Sequence, residues 1–572
     1  MPFKFAISEV ELSSGDHIAV PPRGITLLVG PNNVGKSRCL REIALRVGIV
    51  QPRGAHVHAV TKTLQTKREG TADEFYSWLT SRYQVRELGE RDDQILGVGF
   101  NVRALGGLKS HTRDAWTQPD SGLILYGPAL GTYLDTSNRL GAANAVGAID
   151  PLTTAPTVPL QALYTDEVLE SQLSSTFRTA FGVELAVDRL AAGQITIRCG
   201  IRPDATQLGG HLSIPYAKEV RQRMEFVSEQ GDGMKSYLAC LLYTDVLQRP
   251  LVLIDEPEAF LHPPQARLLA QHLAREATGG DRQVVLATHS SDIVRGALDG
   301  GADVSVVRLT RSAAANHAKQ LDASAIRNLW SDPLLRASNL LDALFHRQLV
   351  LCEGDGDCRF YRAVLDAIWE SGDFPRPDVM FAHTGGKHKL PVAVRAVVSA
   401  GVPTRVIVDI DALQEEKPLR GIWEALGGTW EEIADDRRCI AAAVRNGERR
   451  ISLGYFHEQV NKIVAESSDA NLEDATADRI RGLMRSETGW SAVKRGGLAA
   501  IPSGDASERA EHLLAKLAGR GLHVVPVGEL ERFIQSVAGH GPEWVADALQ
   551  LDLAADPKLE QARKFVRSLR LQ

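Results

Sequence analysis

The octapeptide Gly30-Pro31-Asn32-Asn33-Val34-Gly35-Lys36-Ser37 stands between an apolar run, Ile25–Val29, and an amphipathic stretch, Arg38–Val47. That order reads as strand, glycine loop, helix, and the spacing is G-x-x-x-x-G-K-[ST]. Gly30, Asn32, Asn33 and Gly35 let successive backbone N–H groups curl round phosphate oxygens. Lys36 reaches the β- and γ-phosphates of a nucleotide, and the Ser37 hydroxyl ligates Mg²⁺. The next helix turns the positive end of its dipole toward the same phosphates. A chance glycine loop has no need of a strand directly before it, so the combination predicts a nucleotide site.

A second apolar run, Leu251–Ile254, ends in Asp255-Glu256. A strand delivering two adjacent carboxylates suits a Mg²⁺ shell, polarised by Asp255, and an attacking water, oriented by Glu256. Strand-end acids are often merely solvated, but here Pro257-Glu258 and Leu261-His262-Pro263 follow. A third run, Val284–Ala287, exits through Thr288-His289-Ser290-Ser291, which points His289 toward a γ-phosphate.

These elements together resemble the ABC-type ATPase heads of the SMC, repair-protein and OLD families, in which two heads sandwich two ATP molecules. The resemblance implies that Lys36 and Ser37 bind phosphate and Mg²⁺. It makes Asp255 the Walker B aspartate, Glu256 the hydrolytic glutamate and His289 the switch histidine. The family's signature loop falls at Ser228-Glu229-Gln230-Gly231-Asp232-Gly233-Met234, which departs from the usual Ser-Gly-Gly run. Ser228 and Gly233 are its candidate contacts to nucleotide across a dimer. No glutamine stands out as the Q-loop residue.

From about Gln51 to Arg221 the pattern loosens into turns, prolines and a hairpin, Val183–Leu190 with Gln194–Cys199. Sustained heptads are missing, which excludes the long coiled-coil arm of SMC-type proteins. A compact insertion, and a candidate dimerisation element, is the expectation.

In the second half, Gln348–Cys352 ends in Glu353-Gly354-Asp355-Gly356-Asp357, and Thr404–Val408 ends in Asp409-Ile410-Asp411. Adjacent parallel strands would bring these acids to one carboxyl edge, where open α/β sheets place their ligands. Alternation along an extended segment would turn Asp409 and Asp411 to the same side. Such carboxylates repel unless a hard cation, Mg²⁺ or Mn²⁺, neutralises them. Asp-x-Asp alone is a weak signal; two acidic motifs behind two apolar strands are a strong one.

This second pattern looks like a TOPRIM domain, shared by topoisomerases, primases and OLD-family nucleases. In that resemblance Glu353, Asp409 and Asp411 form the acidic motif and Asp357 the additional acid of the nuclease branch. Thr384-Gly385-Gly386-Lys387 is the glycine turn between central strands. Gly521–Glu531 reads as a last strand, from which Glu529 or Glu531 would ligate a second metal. Lys494 is the candidate lysine near the scissile phosphate.

The remaining arithmetic sets bounds. At 572 residues the chain is long enough for several domains. Charged residues are 24% and hydrophobic ones 44%, a globular composition, and the net charge of -6 rules out a uniformly basic nucleic-acid coat. No apolar run approaches a membrane span, and the six scattered cysteines fit reduced thiols in a cytoplasm. The expected fold is α/β: an ABC-type P-loop head over residues 1–335, with 51–221 inserted, then a Rossmann-like TOPRIM domain over 336–572. This layout resembles the OLD family, including the Gabija-type defence nucleases. It implies ATP and Mg²⁺ (or Mn²⁺) as cofactors, DNA as substrate, and a homodimer or higher oligomer. An accessory helicase or defence-system subunit is a further partner it allows. The rivals are an ATPase switch whose TOPRIM domain binds without cutting and, ranked lower, a topoisomerase or primase.

Overall fold

Six strands build the sheet that carries the phosphate loop: β1 (Gly24–Val29), β2 (Gly131–Leu134), β3 (Leu251–Asp255), β4 (Gln283–Ala287), β5 (Val304–Ser312) and β6 (Ala315–Leu321). Their order is β6-β5-β1-β4-β3-β2, parallel throughout except for the antiparallel edge strand β6. Every residue of β1 and β4 is buried, as expected of central parallel strands covered on both faces. The computed structural model describes residues 3–571 apart from 52–58, 89–91, 119, 151, 192, 281, 302, 314, 322–338, 371, 373–375 and most of 447–488.

Helix α1 (Lys36–Val47) follows the loop and buries Cys39, Leu40, Ile43, Ala44 and Val47, the stripe that four-residue spacing predicts. Gly48, at φ 84°, ends it by donating back to the carbonyls of Ala44 and Leu45. Helix α2 (Asp232–Leu241) runs from the signature-like loop into one turn of π-helix, Leu242–Val246, ahead of β3.

Residues 51–221 are built into the head more deeply than an insertion need be. Thr61–Glu69 pairs with the N-terminal strand Lys4–Leu12, and β2 supplies the edge of the main sheet beside β3. The Phe3 ring packs on Phe75, Trp78 and Trp116 at 5.2, 5.0 and 5.3 Å. The hairpin forms at Glu184–Ala191 and Gln194–Gly200. Two helices precede it, Pro159–Leu163 and Glu167–Phe181, and the Asp166 side chain caps the second.

The chain divides into two units, Met1–Asp332 and Pro333–Gln572; the boundary expected at residue 335 falls outside the described residues. The second unit holds β7 (Gln348–Cys352), β8 (Val379–His383), β9 (Thr404–Val408) and β10 (Leu522–Val524), all parallel, in the order β8-β7-β9-β10. Helix α3 (Asp355–Glu370) follows β7 and buries Phe360, Tyr361 and Val364 in a core completed by Phe533, Trp544 and Phe565. Helix α4 (Gly489–Gly496) carries Lys494. All six cysteines are free thiols. No helix among the described residues is long and apolar enough to cross a membrane.

Candidate functional sites

In the first unit the phosphate loop leaves the carboxyl end of β1. A Cβ on Gly30 would meet the Leu309 carbonyl oxygen at 2.3 Å, so only glycine passes there. Asn33 (φ 63°) and Gly35 (φ 90°) complete the curl, with Asn32 and Asn33 exposed. Buried Lys36 donates to the carbonyls of Gly30 at 2.6 Å and Pro31 at 2.8 Å. Burial pulls its pKa down to about 8, against the opposing pull of Glu256, Glu258 and Asp255.

Burial raises the Asp255 carboxyl to about 6, opposed by a hydrogen bond with the Ser37 hydroxyl. Its Oδ1 is buried without a hydrogen-bond partner. An orphaned carboxylate oxygen beside a serine hydroxyl fits a hard divalent cation. Glu256 sits in the left-handed region at φ 48°, its N–H donating to the Ala287 carbonyl at 2.8 Å. That turn brings its carboxylate to 3.6 Å from His289 Nε2. Burial, with Lys36 nearby, lowers the His289 pKa and keeps the ring neutral.

Four residues have roles that their sequence context did not assign. Arg139, fully buried, donates to the carbonyls of Asp255 (3.0 Å) and Glu256 (2.8 Å) and so fixes the acidic turn. Glu258 accepts from the Thr288 hydroxyl at 2.8 Å and the His289 N–H at 2.6 Å, which ties the β3 exit to the β4 exit. Asp135 follows β2 at the same edge, close enough to help raise Asp255. The fourth, Lys387, belongs to the second unit. Ser228 lies in the 3₁₀ turn Val227–Glu229 and Gly233 in α2; among the described residues, no hydrogen bond or ion pair joins either to the phosphate loop.

In the second unit, Glu353 leaves β7 and Asp409 leaves β9, and the Asp409 N–H donates to Glu353 Oε1 at 3.1 Å. Burial raises Glu353 to about 7, with Asp411 adding repulsion, and Asp409 to about 8, with Glu353 and Asp357 adding theirs. Asp357, in the first turn of α3, accepts from the Gly354 N–H at 2.8 Å and is also raised by burial. Asp411 lies in a 3₁₀ turn, Ile410–Leu413, rather than on the extended segment expected; Asp409 precedes that turn, and both carboxylates still face one point.

That point is the Lys494 ammonium, 3.8 Å from each of Asp409, Asp411 and Glu529. Lys387 reaches Asp411 at 3.3 Å and Glu415 at 2.9 Å from the other side. The glycine turn before it docks on β7: Gly386 N–H donates to the Glu353 carbonyl at 2.8 Å. The last strand is shorter than the sequence reading gave it. β10 stops at Val524, and a turn through Gly528 (φ 115°) delivers Glu529 and Glu531 to the edge. A Cβ on Gly528 would fall 2.1 Å from the Lys494 carbonyl oxygen, and its own carbonyl accepts from Ile410 N–H at 3.0 Å. Glu531 is engaged by His540 Nδ1 at 2.6 Å and Gly541 N–H at 3.0 Å, on the Asp357 side of the cluster.

The donors are hard oxygens, and burial with mutual repulsion raises two of them, Glu353 and Asp409, which fits Mg²⁺ or Mn²⁺. In this arrangement, among the described residues, no three acidic, histidine or cysteine side chains already close on a single point as metal ligands. Two lysines hold the middle of the cluster instead.

Comparison with known proteins meets this geometry in both units. Residues 215–295 match the AAA_21 family, an AAA domain, and residues 344–411 match the TOPRIM domain of overcoming-lysogenization-defect-like proteins. Old nuclease of Escherichia phage P2 is 25% identical over 222 residues, 36% of this chain and 37% of that protein. The chain joins an AAA-type ATPase domain to an OLD-like TOPRIM domain. A shorter match, 38% identical over 64 residues, is to the uncharacterized protein MJECL11 of Methanocaldococcus jannaschii, covering 11% of this chain and 56% of that one. The chain thus spans between about a third and just over half of the lengths of these relatives.

Among solved structures, an SMC head bound to the C-winged helix domain of ScpA is 13% identical, covering 55% of this chain and 98% of its own, with a TM-score of 0.34. An SMC head from Thermotoga maritima is 15% identical, covering 56% and 100%, with a TM-score of 0.28. Those likenesses are loose.

Proposed function

We propose that this protein binds and hydrolyses ATP at its head and is a divalent-metal-dependent DNA endonuclease at its TOPRIM site, nicking or cutting under nucleotide control. The observation that carries the reading is the convergence of Asp409, Asp411 and Glu529 on Lys494, with Glu353 hydrogen-bonded to Asp409, at one edge of a parallel sheet. Glu353, Asp357, Asp409 and Asp411, with Glu529 or Glu531, would hold Mg²⁺ or Mn²⁺. When bound, such ions supply charge neutralisation at a phosphodiester and an acidified water. Lys494 would then donate to a phosphate oxygen at the scissile bond, and Lys387 would hold the Asp411 carboxylate in place through its ion pair.

In the head, Lys36 would exchange its two loop carbonyls for the β- and γ-phosphates. Ser37 and Asp255 would hold Mg²⁺, Glu256 would orient water, and neutral His289 would donate to the γ-phosphate. Ser228 and Gly233 would meet the nucleotide of a second copy, which makes the working form a homodimer or larger. A cytoplasmic role in anti-phage defence, with an accessory helicase or defence-system subunit, accords with this chemistry.

Supercoiled plasmid, titrated with Mg²⁺ and Mn²⁺ with and without ATP, tests the reading. Nicking should appear with metal and vanish in Glu353→Ala and Asp409→Ala; Lys36→Ala should lose ATP binding but keep metal binding at the acids. The second reading, an ATPase switch whose TOPRIM domain binds without cutting, is favoured by one feature, the two lysines inside the carboxylate cluster. A plasmid left intact under every metal would decide for it.

A further inference from the structure

A cavity of about 390 Å³ opens in the first unit, and none of its lining residues belongs to the phosphate loop or to the exits of β3 and β4. Two arginines line it. Arg249 is only 5% exposed and donates solely to neutral acceptors, the carbonyls of Gly131 (3.1 Å) and Val98 and the Thr132 hydroxyl (3.3 Å). Its Nε is buried with no partner. Arg82 lies over the Trp78 ring at 5.4 Å and reaches the carbonyls of Leu247 and Gln248 only at 3.3 and 3.4 Å. Among the described residues neither guanidinium has a carboxylate partner. Burial lowers the Arg249 pKa; at Arg82, whose residue as a whole is exposed, desolvation of the guanidinium and repulsion from Arg282 lower it too.

Backbone irregularity gathers at the same place. The π-helical turn Leu242–Val246 contributes Val246 to the lining, and Gln248 is a non-glycine residue at φ 45°. Such features cost free energy and collect at ligand sites. A buried cation without a counter-charge is costlier still. The rest of the wall mixes apolar side chains, Leu96 and Val246 among them, with the polar Gln84, Thr153 and Thr154.

We propose that this cavity binds a small organic phosphate monoester, its anionic head between Arg82 and Arg249 and its apolar body against Leu96 and Val246. A monoester carries a charge of about −1.5 to −2 at neutral pH, which matches two guanidinium groups, and planar guanidiniums grip phosphate by paired hydrogen bonds. The volume is that of a small-molecule site rather than a macromolecular groove. Because Arg249 precedes β3 by a single residue, Pro250, an occupant would press on the strand that ends in Asp255. The proposal goes beyond the ATP and DNA chemistry above and does not depend on it.

Phenyl phosphate, with benzyl alcohol as its uncharged counterpart, is the probe. Titration calorimetry uses the full-length Lys36→Ala protein, so that the phosphate loop contributes little. Phenyl phosphate should bind saturably and benzyl alcohol should not. Ala155→Trp, which fills the cavity, should remove binding, and Arg82→Gln should weaken it about tenfold or more. Arg82 is exposed, so its variant keeps the test decisive where the tryptophan disturbs folding. Equal weak binding of both probes, or affinity unchanged in Arg82→Gln, overturns the proposal.

Discussion

Lys494 Nζ lies 3.8 Å from Asp409 Oδ2, and equally far from Asp411 and Glu529. At that spacing the ammonium does for the carboxylates what a bound cation would do. Their attraction raises its own pKa despite burial, so it stays charged.

Lys494→Met should therefore separate two effects. With a competing charge gone, Mn²⁺ should bind about tenfold tighter by calorimetry. Plasmid nicking should fall about a hundredfold, because a donor to the developing phosphate charge is lost. Weaker Mn²⁺ binding would mean that the lysine organises the acids instead of competing for them.

Gly528→Ala tests the closeness of two segments. The new methyl would fall 2.1 Å from the Lys494 carbonyl at a left-handed φ, so the second unit should lose about 2 kcal/mol or more in urea unfolding. Gly385→Ala, left-handed at φ 69° but with open space around it, should cost only about 1 kcal/mol. Equal losses would rule out the clash as the cause.

Arg139→Gln removes the donors that hold the Asp255 and Glu256 carbonyls. Hydrolysis depends on where Glu256 sits, whereas phosphate grip depends on Lys36. ATP turnover should drop about tenfold or more while binding of a fluorescent ATP analogue changes little.

His523 gives a pH test. It is buried in β10, and burial, with Arg405 adding repulsion, pulls its pKa down to about 4. An unfolded chain takes up this proton below about pH 6.5. Between about 6.5 and 4 the unfolded state binds more protons, so stability falls as pH falls, by up to about 3 kcal/mol from this residue. Buried Glu353 and Asp409, with raised values, act in the opposite direction, so the quantity to measure is the difference between wild type and His523→Leu. That difference should shrink from pH 7 to pH 4; a constant difference would remove His523 as the source.

Much of this was legible because central parallel strands are short apolar runs, and their first residues beyond the sheet are the functional ones. Gly30, Glu256, Glu353 and Asp409 all follow that rule. What was hidden depends on long-range pairing. β2 is four residues, Gly131–Leu134, too short to distinguish from a turn until it docks on β3. Arg139 works through backbone carbonyls remote in sequence, which no spacing encodes. Glu529 was expected at the end of a strand and arrives by a glycine turn, since β10 ends before the apolar run does.

Gly528 has a consequence for how this site can change. It touches the Lys494 carbonyl and accepts from Ile410, so three segments distant along the chain share one crossing. Their mutual placement is set at that crossing and not by the lengths of chain between them. Insertions or deletions far from it are thus tolerable in a way that a single added methyl is not, and redesign of the intervening stretches can leave the carboxylates where they are.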